Sequence, residues 1–260
     1  MNTIKDIRIY RSQAENIAGN SLPHEFANKE LSIMLHRIAM KLREHDFTLG
    51  DFNHLYVNLT TCMVDDKIAP SKRGKDRYFP RFRYYDVEIS QPFFDTLETS
   101  DCIQSVIEIV EQVLIKYFCT AKHDSEFIRS CVSEAVEQGE NMLVKFKEKR
   151  ASKKQAIIYL RYLDNCRYFP LLRIFDLDDT MILEKDLPET NSLDAYGEIQ
   201  LSSKKITIKP RKINMQGTLI LSRSYCNFYL VILFLNNYPP IQPLCIGIFL
   251  PQRPYPPHLY

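Results

Sequence analysis

Residues 124–163 read DSEFIRSCVSEAVEQGENMLVKFKEKRASKKQAIIYLRYL, and a change of period inside this stretch divides the chain. After Asp124-Ser125, the residues Ile128, Val132, Ala135, Val136, Leu143 and Phe146 recur at helical spacing. The spacing predicts an amphipathic helix that starts acidic (Asp124, Glu126) and ends basic (Lys147, Lys149, Arg150), as the helix dipole favours. From Gln155 the period falls to two, and Ala156 to Leu163 reads as a strand. A boundary is therefore expected near 150–155. It separates an N-terminal domain (1–152) from a β-rich subdomain (153–215) and a hydrophobic, proline-rich tail (216–260).

Upstream, Ile4 to Tyr10 reads as a short strand, with Ile7 and Ile9 alternating with charged residues. Ser21-Leu22-Pro23 supplies a cap and first turn for a helix over Glu25 to His45, striped by Leu31, Met34, Leu35, Ile38, Ala39 and Leu42. Phe52 to Cys62 and Tyr78 to Ser90 read as paired strands around a charged loop, Val64 to Arg77. Ser100-Asp101 precedes a further helix marked by Ile103, Val106, Ile107, Val110, Val113, Leu114 and Tyr117. Downstream, Leu171 to Phe175, Tyr196 to Leu201 and Lys205 to Lys209 read as strands, with Asn165, Asp178-Asp179 and Ser202-Ser203 at the turns. The expected fold class is α+β: three helices on a small antiparallel sheet, followed by a β-rich C-terminal half.

Composition narrows the function. With 260 residues, 45% hydrophobic and 25% charged, the chain has the make-up of a globular protein. Its seven glycines write neither Gly-x-Gly-x-x-Gly nor a Walker-type loop. Seven cysteines without a Cys-x-x-Cys pair read as reduced, mostly buried thiols, and the six histidines make no close pair for zinc. The first residues carry no signal-peptide pattern, so a cytoplasmic location is expected. The net charge of +2 conceals an asymmetry: after Glu198 there are seven basic residues and no acid. In the tail, Tyr225 to Leu235 is nearly unbroken hydrophobe. That is too short to span a membrane and reads first as a buried strand or helix, then as a membrane-associated segment or an irregular tail.

Two constellations carry chemistry. Residues 172–182, LRIFDLDDTMI, resemble the first motif of haloacid-dehalogenase-type phosphohydrolases. The resemblance implies Asp176 as nucleophile, Asp178 as general acid/base, Thr180 as a positioning residue and Mg²⁺ as cofactor. The acids that complete such a metal site are absent after Glu198. The preferred reading is a hairpin with Asp178-Asp179 in its turn, and no catalytic residue or cofactor. In Lys67 to Arg83, the bases Lys72, Arg73, Lys75, Arg77 and Arg81 alternate with rings, as in single-strand nucleic-acid binders. Asp65, Asp66, Asp76 and Asp86 interrupt them, so a solvated hairpin loop is preferred and nucleic acid ranks below a protein as the partner.

Residues 51–60 (DFNHLYVNLT), then 85–89 (YDVEI), a long helix and residues 196–210 (YGEIQLSSKKITIKP) are similar to bacterial immunity proteins that neutralise polymorphic or contact-dependent toxins. The resemblance implies a non-enzymatic binding protein whose partner is a cognate toxin held in a tight complex. It also accounts for a well-patterned core without a complete catalytic signature.

Overall fold

The computed structural model of the protein describes residues 2–12, 24–26, 28–72, 79–97, 102–202, 205–211 and 230–233. The chain divides into two compact units, 1–144 with 164–166, and 145–163 with the residues from 167 onward.

The first unit contains β1 (Asp6–Ser12), β2 (His24–Glu25), α1 (Lys29–Glu44), β3 (His54–Thr60), β4 (Ile68–Pro70), β5 (Phe82–Glu88), α2 (Gln91–Thr96), α3 (Ile103–Phe118) and α4 (Ser125–Gln138). Its five-stranded sheet has the order β2-β1-β3-β5-β4. Contrary to the expected antiparallel sheet, β1, β3 and β5 run parallel, and only the edge strands β2 and β4 oppose their neighbours. The connections explain this. The α1 crossover returns the chain so that β3 starts beside the start of β1, and β4 is the descending strand that allows β5 to ascend next to β3. Helices are also more numerous than expected. Ser90 accepts from the Phe93 N–H at 3.3 Å and Pro92 fits the first turn, so α2 forms where no stripe of apolar residues announces it.

Alternation assigns the faces of this sheet. Ile7, Ile9, Leu55, Val57, Leu59, Tyr85 and Val87 are buried on one side. There α1 lies against β1, and the Tyr117 and Phe118 rings of α3 sit 4.8 and 5.5 Å from Tyr85. α4 packs on α1 and α3. Asn28 caps α1 and Asp124 caps α4, each accepting a backbone N–H three residues on. In α1, Lys41 reaches Glu44 at 2.9 Å and Glu134 of α4 at 2.7 Å. Burial pulls the lysine pKa down, but the bonds to both carboxylates outweigh it and hold the pKa above the usual value.

His36 is part-buried on α1. Burial, helped by Arg43 and Arg37 and opposed by Asp6, lowers its pKa from 6.5 to about 4. The unfolded chain therefore takes up this proton first as pH falls. Stability drains from pH 6.5 downward and the loss levels off below pH 4. Between pH 7 and pH 5 the loss is about 2 kcal/mol. Urea unfolding at the two pH values should show a gap that shrinks by about that amount in His36→Gln.

The helix expected to run to Arg150 stops at Gln138. Gly139 has φ 52°, which favours glycine, and its N–H bonds the Ala135 carbonyl. The chain then enters β6 (Val144–Ala151), so Lys147, Lys149 and Arg150 lie on a strand and serve no helix dipole. Leu143 and Phe146 continue the helical spacing while Val144 and Phe146 fit a period of two, which is why the sequence misleads here.

Beyond β6, the meander continues through β7 (Lys154–Tyr162), β8 (Tyr168–Phe175) and β9 (Met181–Asp186), giving the sheet order β6-β7-β8-β9. A second antiparallel sheet joins β10 (Glu198–Leu201), β11 (Lys205–Lys209) and β12 (Leu230–Leu233). Ala156, Ile158, Leu172 and Ile174 from the first sheet share a core with Ile199, Ile206 and Ile208 from the second. At roughly 1.5–3 kcal/mol per large aliphatic chain, this burial supplies much of the unit's driving force. Tyr196 joins the core and donates to the Pro188 carbonyl at 2.6 Å, and burial pushes its hydroxyl up to about 12. Within the apolar run 225–235 the described residues form β12, a strand; the remainder of the tail beyond Arg211 lies outside the described residues. Among the described residues no helix is long and apolar enough to cross a membrane.

The cysteines differ from expectation. Cys102 and Cys131 are buried, Cys62 is half-buried, and Cys119 and Cys166 are exposed; Cys226 and Cys245 lie outside the described residues. The sequence places Cys119 just past an apolar stripe and Cys166 in a turn, positions that periodicity does not bury. Burial raises the Cys131 thiol to about 11. Brief treatment of the native protein with iodoacetamide should label Cys119 and Cys166, and peptide mapping should find Cys102 and Cys131 unlabelled until urea is added.

Candidate functional site

The polar and aromatic chemistry of the first unit lies on the other face of its sheet. Pairing aligns Arg8, Tyr56 and Tyr84 in one row, and Tyr10, Asn58 and Asp86 in the next. The second row and its neighbour Ser12 form a buried polar network. The Asn58 amide donates to Asp86 Oδ1 at 2.8 Å and to Ser12 Oγ at 3.1 Å. Asn58 is fully enclosed, and Ser12 and Asp86 are nearly so. These residues sit toward the carboxyl ends of three parallel strands and lock the strands to one another.

Toward the amino ends the face is aromatic. Tyr56 lies at the centre, with ring centroids 5.0 Å from Tyr10, 5.2 Å from Tyr84 and 5.0 Å from Phe82. Phe79 stacks on Phe82 at 5.0 Å with an interplanar angle of 2°, yet it is 54% exposed. The half-buried His54 ring is 4.6 Å from Phe82, and its pKa lies below the usual value, first through burial. The Arg8 guanidinium stands 6.0 Å from the centre of Tyr56, and exposed Arg81 flanks the patch. Tyr56 itself is buried at 4% exposure, so the accessible part is its rim: half-buried Tyr10, Phe82 and Tyr84 and exposed Phe79, edged by arginine, a surface suited to recognition.

The sequence reading missed this surface. Of the rings on β5, only Tyr85 points to the helices; Phe82 and Tyr84 face the other way. The available signal was the tyrosines at even positions of three strands, but it is visible only once the parallel register is known.

The basic loop contributes less than expected. Lys72 is exposed, with its ammonium 3.8 Å from the Asp65 carboxylate. The Arg81 carbonyl accepts the Asn53 and His54 N–H groups at 3.1 and 3.2 Å, while its side chain lies at the surface. Arg73, Lys75 and Arg77 lie outside the described residues. Arg83 is committed to the fold, donating to Asp51 at 3.0 Å and to the carbonyls of Pro80 and Phe82.

The Asp-Leu-Asp-Asp-Thr segment is the turn of the β8–β9 hairpin. Asp176 Oδ1 accepts the N–H groups of Asp178 and Thr180, both at 2.9 Å, and the Asp176 N–H bonds the Thr180 carbonyl at 3.0 Å. Its carboxylate is thus turned back onto the loop, while Asp178 and Thr180 are exposed. The phosphohydrolase resemblance casts Asp176 as the nucleophile; here one of its carboxylate oxygens is taken up by N–H groups of the turn itself. Among the described residues no three His, Cys, Asp or Glu side chains gather as a metal site would need.

One open groove of about 630 Å³ runs along β4, β5 and α3. Several of its polar groups are engaged: Glu111 faces Arg129 at 3.5 Å, Glu88 accepts the Val64 N–H at 2.9 Å, and Lys116 and neighbouring Tyr117 donate to the Ile68 carbonyl. The last two contacts close the outer edge of β4. Neither a family model, nor a curated protein, nor a solved structure matches this chain.

Proposed function

We propose that this chain is a non-enzymatic binding protein, an immunity protein that neutralises a cognate bacterial toxin by forming a tight complex with it. One observation carries the reading: the aromatic patch of Tyr10, Phe79, Phe82 and Tyr84, packed around the buried Tyr56 and edged by Arg8 and Arg81, on the sheet face opposite α1 and α3. Tyrosine, phenylalanine and arginine dominate the energetic centres of protein interfaces, and a rigid sheet presents them with little loss of conformational entropy. The same rings suit stacked bases, so salt dependence is the discriminating measurement. A nucleic-acid binder loses affinity steeply as salt rises and is retained on heparin, whereas a ring-centred protein interface tolerates salt.

The test is co-purification and growth protection with the product of the neighbouring toxin gene. A stable complex and rescued growth are expected. Phe82→Ala and Tyr84→Ala should each weaken the complex by about 30-fold, roughly 2 kcal/mol. No complex at micromolar concentration removes the proposal.

A further inference from the structure

We propose that the tip of the β8–β9 hairpin is a second docking element, and that it enters an apolar recess ringed by lysine or arginine side chains on the toxin. This inference rests on the immunity reading and names the chemistry of the partner surface. The first observation is exposure. Leu177, Met181 and Ile182 are 69%, 51% and 48% exposed, three large apolar side chains within six positions. Single exposed hydrophobes are ordinary, but a cluster at the end of a projecting hairpin marks a contact surface.

The second observation is charge. Between Arg173 and Lys185 the chain holds Asp176, Asp178, Asp179 and Glu184 and no base. Glu184 is paired with Arg173 at 2.7 Å, and the Asp176 carboxylate accepts two loop N–H groups. Asp178 and Asp179 are exposed at the apex beside Leu177. An acidic, apolar tip is complementary to a recess with a cationic rim, and such a rim excludes partners of the opposite pattern. The turn is also held in one conformation by the Asp176 bonds, so docking orders little that is not already ordered. On this account the segment that resembles a catalytic motif serves as a shaped plug.

The experiment measures binding of purified toxin to wild type, to Leu177→Ser/Ile182→Ser and to Asp178→Lys/Asp179→Lys, at low and at high sodium chloride. All four positions are exposed, so the apolar pair should melt like wild type; Asp179 has φ 55°, which lysine adopts less readily than aspartate, so the charge reversal should melt slightly lower. The apolar pair should lose at least about 30-fold in affinity at both salts. The charge reversal should slow association at least about tenfold at low salt, with a smaller effect at high salt. If both double variants bind like wild type while Phe82→Ala weakens the complex, the tip proposal is overturned and the immunity reading stands. If wild type forms no complex, both are overturned.

Discussion

Asn58→Ala is expected to cost the first unit about 3 kcal/mol. The loss exceeds that of a small cavity because the variant removes the 2.8 Å donor to a nearly enclosed Asp86 carboxylate and leaves Ser12 without the same amide. Asp86→Asn separates the contributions of charge and hydrogen bonding. It keeps an acceptor near Asn58 without burying a charge, so it should cost no more than about 1 kcal/mol. Urea unfolding followed by circular dichroism measures both. Equal losses for the two variants would show that the carboxylate charge, not the amide donor, holds the three strands. An Asn58→Ala loss below about 1 kcal/mol would remove the network from the account altogether.

Gly197→Ala is expected to destabilise the second unit by about 3 kcal/mol. A Cβ at this position would overlap the backbone of Pro210 and Arg211, and a main chain cannot swing aside as a flexible side chain can. The close approach is tied down on both sides: the Gly197 N–H bonds the Lys209 carbonyl at 2.8 Å, and the Gly197 carbonyl accepts from Lys147. The loss should appear as earlier exposure of the Tyr196 environment in near-ultraviolet dichroism. A variant with wild-type unfolding would mean that residues 210 and 211 relax at little cost.

The two variants strike parts of the chain that were legible to different degrees. The stripes of α1 and α3 were plain in the sequence, since Leu31, Leu35, Ile38 and Leu42, and Val106, Val110, Val113 and Leu114, are all buried; the start of α1 was not, because the expected first residue Glu25 lies in β2 and the helix begins at Lys29 behind the Asn28 cap. The meander was equally plain at β7 and β8, where Ile158 and Leu172 alternate with residues of the opposite face. Direction of pairing was not legible. A strand such as β3, buried along nearly its whole length, fits parallel and antiparallel neighbours alike. The end of α4 was misread because one glycine outweighed an apolar spacing that continued past it. For the site, the Asp178-Asp179 turn was expected, whereas the aromatic patch depended on three strands whose alignment no local pattern encodes.

The sheet order of the first unit has a kinetic corollary. β4 precedes β5 in the chain, yet among the described residues its one neighbour in the sheet is β5, which lies between it and β3. During synthesis residues 68–70 therefore emerge before the strand that must receive them. They wait unpaired until their partners Tyr85, Asp86 and Val87, 15 to 19 positions further along, have left the ribosome. Once β5 is out, the two strands can pair locally before β5 docks beside β3. The slow contacts are those of larger separation: β1 meets β3 across 48 positions and β3 meets β5 across 28, so their closure, rather than this edge, sets the pace.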